Sequence, residues 1–254
     1  MKALLKRLYV LLLFISSQSS AQTRLPDLDS AVKADPHNAY FWQQKGMFLF
    51  KEKKYELGLP YLDSAVKYNK GEDYLEYRAF MKCIFQRSYR SAIVDFNKAK
   101  IENPDGFIMD HEFDFYLGIC YLQLNQFDSA ETLFTRCIEK EKIRNGETWV
   151  HYMNWFYKGI ALMEKGSYAK SIDCFDHAIG LYKRFSDAKY YKAICHYRLK
   201  DSEKALALFK EAQADLKEGY TINEDNVIYE TYPHQVTLKW IENYLHYLDK
   251  PKGK

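Results

Sequence analysis

The sequence predicts an all-α protein built from antiparallel helix pairs, and three observations lead to this prediction. Its 254 residues include only 11 Gly and 6 Pro, which favours helices over turn-rich β structure. Apolar residues recur at steps of three and four, which places them on one face of a helix. These patterns return about every 34 residues, which indicates stacked helical repeats.

The N-terminal residues 1–21 have the layout of a secretory signal peptide. Three cationic residues precede an apolar run from Leu8 to Ile15, and small residues follow up to Ala21. This run is much shorter than the roughly 20 apolar residues that a transmembrane helix needs. We therefore expect cleavage after Ala21, a periplasmic or secreted protein, and no transmembrane segment in the mature chain.

The charge balance argues against a nucleic-acid partner. The formal net charge is +3, from 37 Lys and Arg against 34 Asp and Glu. The first 21 residues hold three of the cations and no acid, so the remaining 34 cations equal the 34 acids. A protein that binds nucleic acid through phosphates needs a basic surface. We therefore predict no nucleic-acid partner.

After the leader, residues 22–217 form the predicted repeat array. A leading half-unit at 25–38 is followed by full units at 39–72, 73–106, 111–144, 152–185 and 186–217. Each full unit holds a first helix, called helix A, and an antiparallel second helix, called helix B. Extra residues at 107–110 and 145–151 fall between units, and we expect them to lengthen loops or helix ends.

Large and small side chains alternate at fixed places in each unit, as interlocking helices require. The eighth place is small, so that helix B can approach helix A: Gly46, Gly118 and Gly159. The twenty-fourth place holds a ring that fills the space between helices: Phe96, Phe134, Phe175 and Phe209. The twenty-seventh place is small, so that the next unit can stack: Ala65, Ala99, Cys137, Ala178 and Ala212.

The stretch FYLGICYLQLNQFDSAETLF shows this pattern most clearly, with Gly118, Tyr121, Ala130 and Phe134 in place. The pattern resembles the tetratricopeptide repeat (TPR) family, which has the same period and the same alternation. Phe80 and Ala193 depart from the glycine that the family prefers. The resemblance implies a right-handed superhelical solenoid with a protein or peptide partner on its concave face.

In the family, helix A lines the concave groove. The resemblance therefore implies these partner-binding residues: Gln43, Met47, Tyr74, Tyr77, Arg78, Met81, Phe115, Tyr116, Phe156, Tyr157, Tyr190 and Tyr191. Gln123 and Asp187 also fall at groove positions. The set is rich in aromatic rings, which suits a peptide with apolar anchors, and it lacks the Lys and Asn set of chaperone-binding TPR proteins. The alternative is that many of these rings pack between neighbouring helices.

Residues 218–254 follow the array as a linker and a C-terminal helix. Apolar residues at helical spacing predict this helix over Pro233–Asp249, with Pro233 in its first turn. We expect it to cap the apolar end of the array. The polar stretch NEDNVIYETYPHQ before it is a second candidate binding segment.

Motifs of catalysis are absent from the sequence. It holds no GxGxxG, phosphate-binding loop, GxSxG or HExxH, and its seven histidines include no pair four residues apart. We predict no catalytic residue, metal ligand or cofactor. The five cysteines form no CxxC motif and are expected in the core, although one disulfide stays possible. The predicted function is a non-enzymatic interaction scaffold of the cell envelope, and the alternative is a glycan or small-ligand binder.

Overall fold

The computed structural model of the chain describes residues 25–69 and 74–248, which are mostly helical. The chain divides after Tyr74 into two compact units, and each is described by itself. The predicted leader, residues 1–21, lies outside the described residues. Within the two described ranges, every helix is too short or too polar to span a bilayer.

The described part of the first unit holds three helices: α1 (Leu25–Ala34), α2 (Ala39–Lys51) and α3 (Tyr55–Tyr68). Helix α2 begins where the Asn38 side chain accepts a hydrogen bond from the Tyr40 N–H, which satisfies a free donor of the first turn. A Cβ added to Gly46 would lie 2.7 Å from the side chain of Leu62 on α3. The predicted small residue at the eighth place is therefore what lets α2 and α3 approach.

The second unit, described by itself, is also built from helix pairs. Its A helices are α4 (Tyr74–Phe80, continued by a π-helical turn over Met81–Phe85), α6 (Phe113–Gln123), α8 (Tyr152–Glu164) and α10 (Ser186–Arg198). Its B helices are α5 (Tyr89–Glu102), α7 (Phe127–Asn145), α9 (Tyr168–Leu181) and α11 (Ser202–Lys217). The predicted all-α class and the repeated antiparallel pairs are confirmed.

The predicted stacking positions form the core of the second unit. The rings at the twenty-fourth place are fully buried, and the small residues at the twenty-seventh place are at most 3% exposed. A Cβ added to Gly118 would lie 2.7 Å from the Phe134 ring on the paired helix. The five cysteines are buried free thiols, as predicted for core residues, and the sulfurs of Cys83 and Cys120 lie 3.5 Å apart.

The extra residues between repeats have structure of their own. Strands β1 (Phe107–Ile108) and β2 (His111–Glu112) pair antiparallel and lead directly into α6. A 3₁₀ turn over Glu147–Trp149 follows α7. His151 then precedes α8, where its Nδ1 accepts a hydrogen bond from the Met153 N–H. These two insertions place His111 and His151 at the starts of neighbouring A helices.

The last helix begins later than predicted. Helix α12 covers Leu238–Leu248, so Pro233 lies outside it, and Asp249 lies outside the described residues. The reason is that backbone groups before Leu238 bond to the repeats, and His234 adopts a left-handed φ of 64°. Helix α12 packs on α11, where the rings of Tyr244 and Phe209 stack at 4.9 Å.

Candidate functional site

The predicted groove residues differ in exposure between the two units. Gln43 and Met47 of the first unit are partly exposed, and so is Tyr74 at the unit boundary. In the second unit, Tyr77 and Arg78 are partly exposed, whereas the remaining predicted groove residues are buried: Met81, Phe115, Tyr116, Phe156, Tyr157, Tyr190 and Tyr191. Something must therefore cover the A helices of the second unit.

Some of these side chains pack between helices, as the alternative interpretation expected. The Arg78 guanidinium makes two 2.8 Å hydrogen bonds to the Asp95 carboxylate on α5. The Phe156 ring lies 5.0 Å from the Phe185 ring. The Tyr190 ring contacts Phe209 on α11. Each of the three residues therefore packs against another part of the repeats.

The chain's own tail covers Tyr157 and Tyr191. We call residues 220–237 the tail segment, and we call the surface of α6, α8 and α10 that it touches the A-helix face. The tail segment runs irregularly, with one short 3₁₀ turn over Asp225–Ile228. The segment buries three apolar side chains that are at most 4% exposed: Ile222, Tyr232 and Val236.

Asp187, in the first turn of α10, holds both ends of the tail segment. Its Oδ1 accepts a 2.7 Å hydrogen bond from the Val236 N–H. Its Oδ2 accepts from the Ile222 N–H at 3.1 Å and from the Thr221 hydroxyl at 2.7 Å. The carboxyl is fully buried. One side chain of the repeats therefore satisfies two backbone donors of the tail that would otherwise be buried without acceptors.

Two tyrosines and a glutamine of the A-helix face hold the middle of the tail segment. The Tyr157 hydroxyl donates a 2.8 Å hydrogen bond to the Pro233 carbonyl. The His234 ring lies edge-on to the rings of Tyr157 and Tyr191. The His234 Nδ1 lies 3.2 Å from the Gln123 amide nitrogen, which donates to it. The predicted groove residues Tyr157 and Tyr191 therefore contact a peptide segment of this same chain.

The remaining tail contacts spread along the unit. The Tyr152 hydroxyl accepts from the Asn223 N–H at 3.2 Å. Arg87, after α4, donates to the Thr231 carbonyl at 3.4 Å and lies 3.3 Å from the Glu230 carboxylate. The tail segment is thus bonded to residues of four successive repeats.

Burial sets the protonation states in this region. It raises the pKa of the Asp187 carboxyl to about 6, although the hydrogen-bond donors around the carboxyl oppose the shift. It lowers the pKa of His234 to about 4, so the imidazole is neutral and its Nδ1 can accept from Gln123. It also raises the pKa of Glu224 to about 7. Near pH 7 the His234 imidazole is therefore neutral, the Asp187 carboxyl is mostly ionised, and Glu224 is about half protonated.

Several residues of the interface between the tail segment and the repeats are missing from the set of partner-binding residues predicted from the sequence. Gln123 and Asp187 occupy groove positions of the repeat, so their places in the unit were an available signal. Arg87, His151 and Tyr152 lie at helix ends or in an insertion, where the repeat pattern carries no information. The polar tail was a candidate binding segment, but its position on the A-helix face was not predicted.

Stacked helix pairs with buried alanines and rings at a fixed period define a helical-repeat protein. The second unit contains tetratricopeptide repeats. Two models described as "Tetratricopeptide repeat" match residues 113–141 and 156–219. Among curated proteins, no sequence matches the chain.

Solved structures of TPR-type proteins share the fold. YrrB, described as a TPR protein with an unusual peptide-binding site, is 17% identical, with a TM-score of 0.54. That match covers 77% of this chain and 95% of YrrB. MamA from Desulfovibrio magneticus RS-1 is 15% identical over 71% of this chain and 96% of its own, with a TM-score of 0.59.

Proposed function

We propose that the A-helix face of the second unit binds an extended segment of a partner protein, and that the tail segment is its resident occupant. The TPR fold is that of a protein-interaction scaffold. The observation that carries the finer proposal is the position of the tail segment: residues 220–237 form an extended peptide whose backbone groups are bonded by side chains of the repeats.

The contacts of the tail segment indicate the chemistry of the partner. Asp187 accepts from peptide N–H groups, and Tyr157 donates to the carbonyl of a proline. Around that proline, the tail sequence places a buried aromatic residue, Tyr232, before it and a neutral imidazole, His234, after it. A partner segment with an aromatic residue followed by proline would reproduce these contacts. Backbone bonds supply affinity in such complexes, and side-chain pockets supply selectivity.

A peptide is favoured over a glycan as the ligand. Stacking on a sugar needs an open ring face, whereas the rings of Tyr157 and Tyr191 meet the His234 ring of the tail segment. The bonds from Asp187 and Tyr157 go to peptide groups. YrrB is itself described as having a peptide-binding site, which agrees with this choice. The proposed scaffold has no catalytic role.

A partner must displace the tail segment, so weakening the tail should expose the binding face. Tyr232→Ala removes a ring that is 2% exposed, and such a loss costs about 3–5 kcal/mol of packing. We expect a labelled synthetic peptide of residues 220–237 to bind this variant up to about 100-fold more tightly than the wild type, because the competent fraction rises. Fluorescence anisotropy measures the affinity.

Two variants control this experiment. Ile228→Ala changes a tail residue that is 79% exposed and should leave the affinity at the wild-type value. The double variant Tyr232→Ala with Asp187→Ala loses the acceptor for the peptide backbone and should bind weakly. Equal binding by the single and double variants would exclude the A-helix face as the binding site.

We further propose that the scaffold works in the cell envelope, on the strength of the signal-peptide layout of residues 1–21. N-terminal sequencing of the protein from fractionated native cells tests this proposal. A mature chain that begins at Gln22 in the envelope or secreted fraction is expected. An intact N-terminus in the cytoplasmic fraction contradicts it.

A further inference from the structure

Two histidines and a glutamate meet where the tail segment passes the insertions between repeats. The His111 Nε2 lies 3.3 Å from one Glu224 oxygen, and the His151 Nε2 lies 3.9 Å from the other. The two imidazole rings are 4.6 Å apart and nearly perpendicular. One ligand atom from each of the three residues falls within 4.8 Å of the other two.

The repeats hold the two imidazoles in place. The His111 ring stacks on the Phe115 ring at 3.8 Å. The Glu141 carboxylate accepts hydrogen bonds from the His151 N–H at 2.7 Å and from the Asn154 amide at 2.9 Å, which positions the start of α8. Glu224 comes from the tail segment. The cluster is therefore assembled by the β-hairpin, the second insertion and the tail, the three regions that depart from the repeat.

The hydrogen-bonding capacity of this cluster is incompletely used. Glu224 Oε1 and His111 Nδ1 are buried without a hydrogen-bond partner, and the side chains of Glu224 and His111 are 5% and 0% exposed. Buried polar atoms in folded proteins usually have partners, so such an exception calls for an explanation. Glu224 Oε1 is the atom that faces His151 Nε2. A cation between the three side chains would satisfy it.

We propose that His111, His151 and Glu224 form a binding site for a divalent transition metal of the Zn²⁺ class. Two imidazoles and one carboxylate are a usual ligand set for zinc, with bonds of about 2.0–2.2 Å and a water in the fourth position. Ligand atoms of such a tetrahedral site lie about 3.3 Å apart. The His111 Nε2 already has this spacing from Glu224 Oε2, and the His151 Nε2 lies 3.9 Å from Glu224 Oε1. Since one ligand atom from each residue lies within 4.8 Å of the other two, the widest pair must close by at most about 1.5 Å.

Coordination has a defined consequence for His151 and for Glu224. Binding through the His151 Nε2 moves its proton to Nδ1, which exchanges the weak 3.4 Å bond from the Met153 N–H for the metal bond. Glu224 binds as the carboxylate. Because Glu224 belongs to the tail segment and both histidines belong to the repeats, the metal joins the two and holds the tail on the A-helix face.

The metal site does not depend on the proposed peptide function, but its effect on peptide binding does. If the metal binds only the closed arrangement, 100 times its Kd stabilises that arrangement by a factor of about 100. The affinity for a competing peptide should then fall by about the same factor in the Tyr232→Ala variant. If Zn²⁺ binds without lowering the affinity for the peptide, the metal site is supported, but the A-helix face is contradicted as the peptide-binding site.

The direct test uses the full chain without an affinity tag. Equilibrium dialysis with ZnCl₂ should find one metal per chain, and CoCl₂ should give the visible absorption of low-coordinate Co²⁺. Glu224→Gln keeps the shape of the side chain but removes its charge, and His151→Ala changes a side chain that is 32% exposed. We expect each to lower the affinity for Zn²⁺ by at least about 100-fold, since the site loses one of three protein ligands.

His246→Ala serves as the matched control, because it removes an exposed histidine on α12. It should bind Zn²⁺ as the wild type does. Circular dichroism of each variant confirms that the helices persist, and His151→Ala, with its partly exposed side chain, keeps the test independent of any loss of folding in Glu224→Gln. A wild type that takes up no Zn²⁺ at micromolar concentrations, or ligand variants that bind as tightly as the wild type, would overturn the proposal.

Discussion

The A helices of the two units share one repeat pattern but differ in their surroundings. In the first unit, Tyr40 on α2 is 53% exposed, and Gln43 and Met47 are partly exposed. In the second unit, Tyr116 on α6 and Tyr157 on α8 are fully buried. The tail segment makes the difference at Tyr157, because the Pro233 carbonyl accepts its hydrogen bond. The repeat pattern thus selects which residues face outward, and another part of the chain decides whether they are exposed.

The two units should differ most in the free energy of unfolding that is lost when one tyrosine of each is replaced by alanine. Tyr157→Ala removes a buried ring and leaves the Pro233 carbonyl without its donor, so we expect a loss of about 3–5 kcal/mol in the free energy of unfolding. Tyr40→Ala changes an exposed ring and should stay within about 0.5 kcal/mol of the wild type. Urea unfolding followed by circular dichroism measures both, and equal losses would contradict the comparison.

Asp187→Ala should release the tail segment from the A-helix face. Three donors lose their acceptor, and each unpaired buried donor costs about 1–3 kcal/mol, although the released tail can recover part of this in water. We expect faster hydrogen exchange at the amides of Ile222 and Val236. The free energy of unfolding should fall by about 3 kcal/mol in total. Asp225→Ala, an exposed carboxylate of the same segment, is the control. Unchanged protection in Asp187→Ala would show that other contacts hold the tail.

The stability contribution of Asp187 should depend on pH. Burial raises its pKa from 3.8 to about 6, so between these values the folded protein keeps a proton that the unfolded chain has released. The contribution is therefore complete below about pH 4, falls as the pH rises to about 6, and is constant above that. At about 1.4 kcal/mol per pKa unit, the fall amounts to at most about 3 kcal/mol.

The difference in unfolding free energy between the wild type and Asp187→Asn isolates this titration, because asparagine does not ionise. We expect this difference to change between pH 4 and 6 and to be level from pH 7 to 8. A difference that is independent of pH across the whole range would mean that the Asp187 carboxyl titrates alike in the folded and unfolded states.

Arg87→Ala should have the smallest effect. Its side chain is 48% exposed, and its contacts to Glu230 and Thr231 lie at the solvent boundary. Exposed ion pairs contribute about 0–1 kcal/mol, so we expect a loss of less than about 1 kcal/mol that shrinks further at high salt. If Arg87→Ala lost as much free energy of unfolding as Asp187→Ala, Arg87 would be a main contact that holds the tail segment on the repeats.

The helix pairs and their packing positions were predictable from the sequence, and the occupancy of the groove was not. Phe96, Phe134 and Phe175 are buried where the repeat requires them. The repeat pattern also marked Tyr157 and Tyr191 as groove residues, and both contact the tail segment. It also marked Arg78, which is partly exposed and pairs with Asp95. A periodic pattern reports the face on which a residue lies, but not whether a neighbouring helix or the tail reaches it.

The sequence by itself determined the helices, their pairing and the residues between them, because these depend on spacings of three and four that recur within each repeat. Only the tertiary structure decided the path of the tail segment, the later start of α12 and the meeting of His111, His151 and Glu224. The physical reason is that these features depend on single hydrogen bonds between groups far apart in the chain, such as Asp187 with the Val236 N–H. Such bonds leave no periodic signal in the sequence.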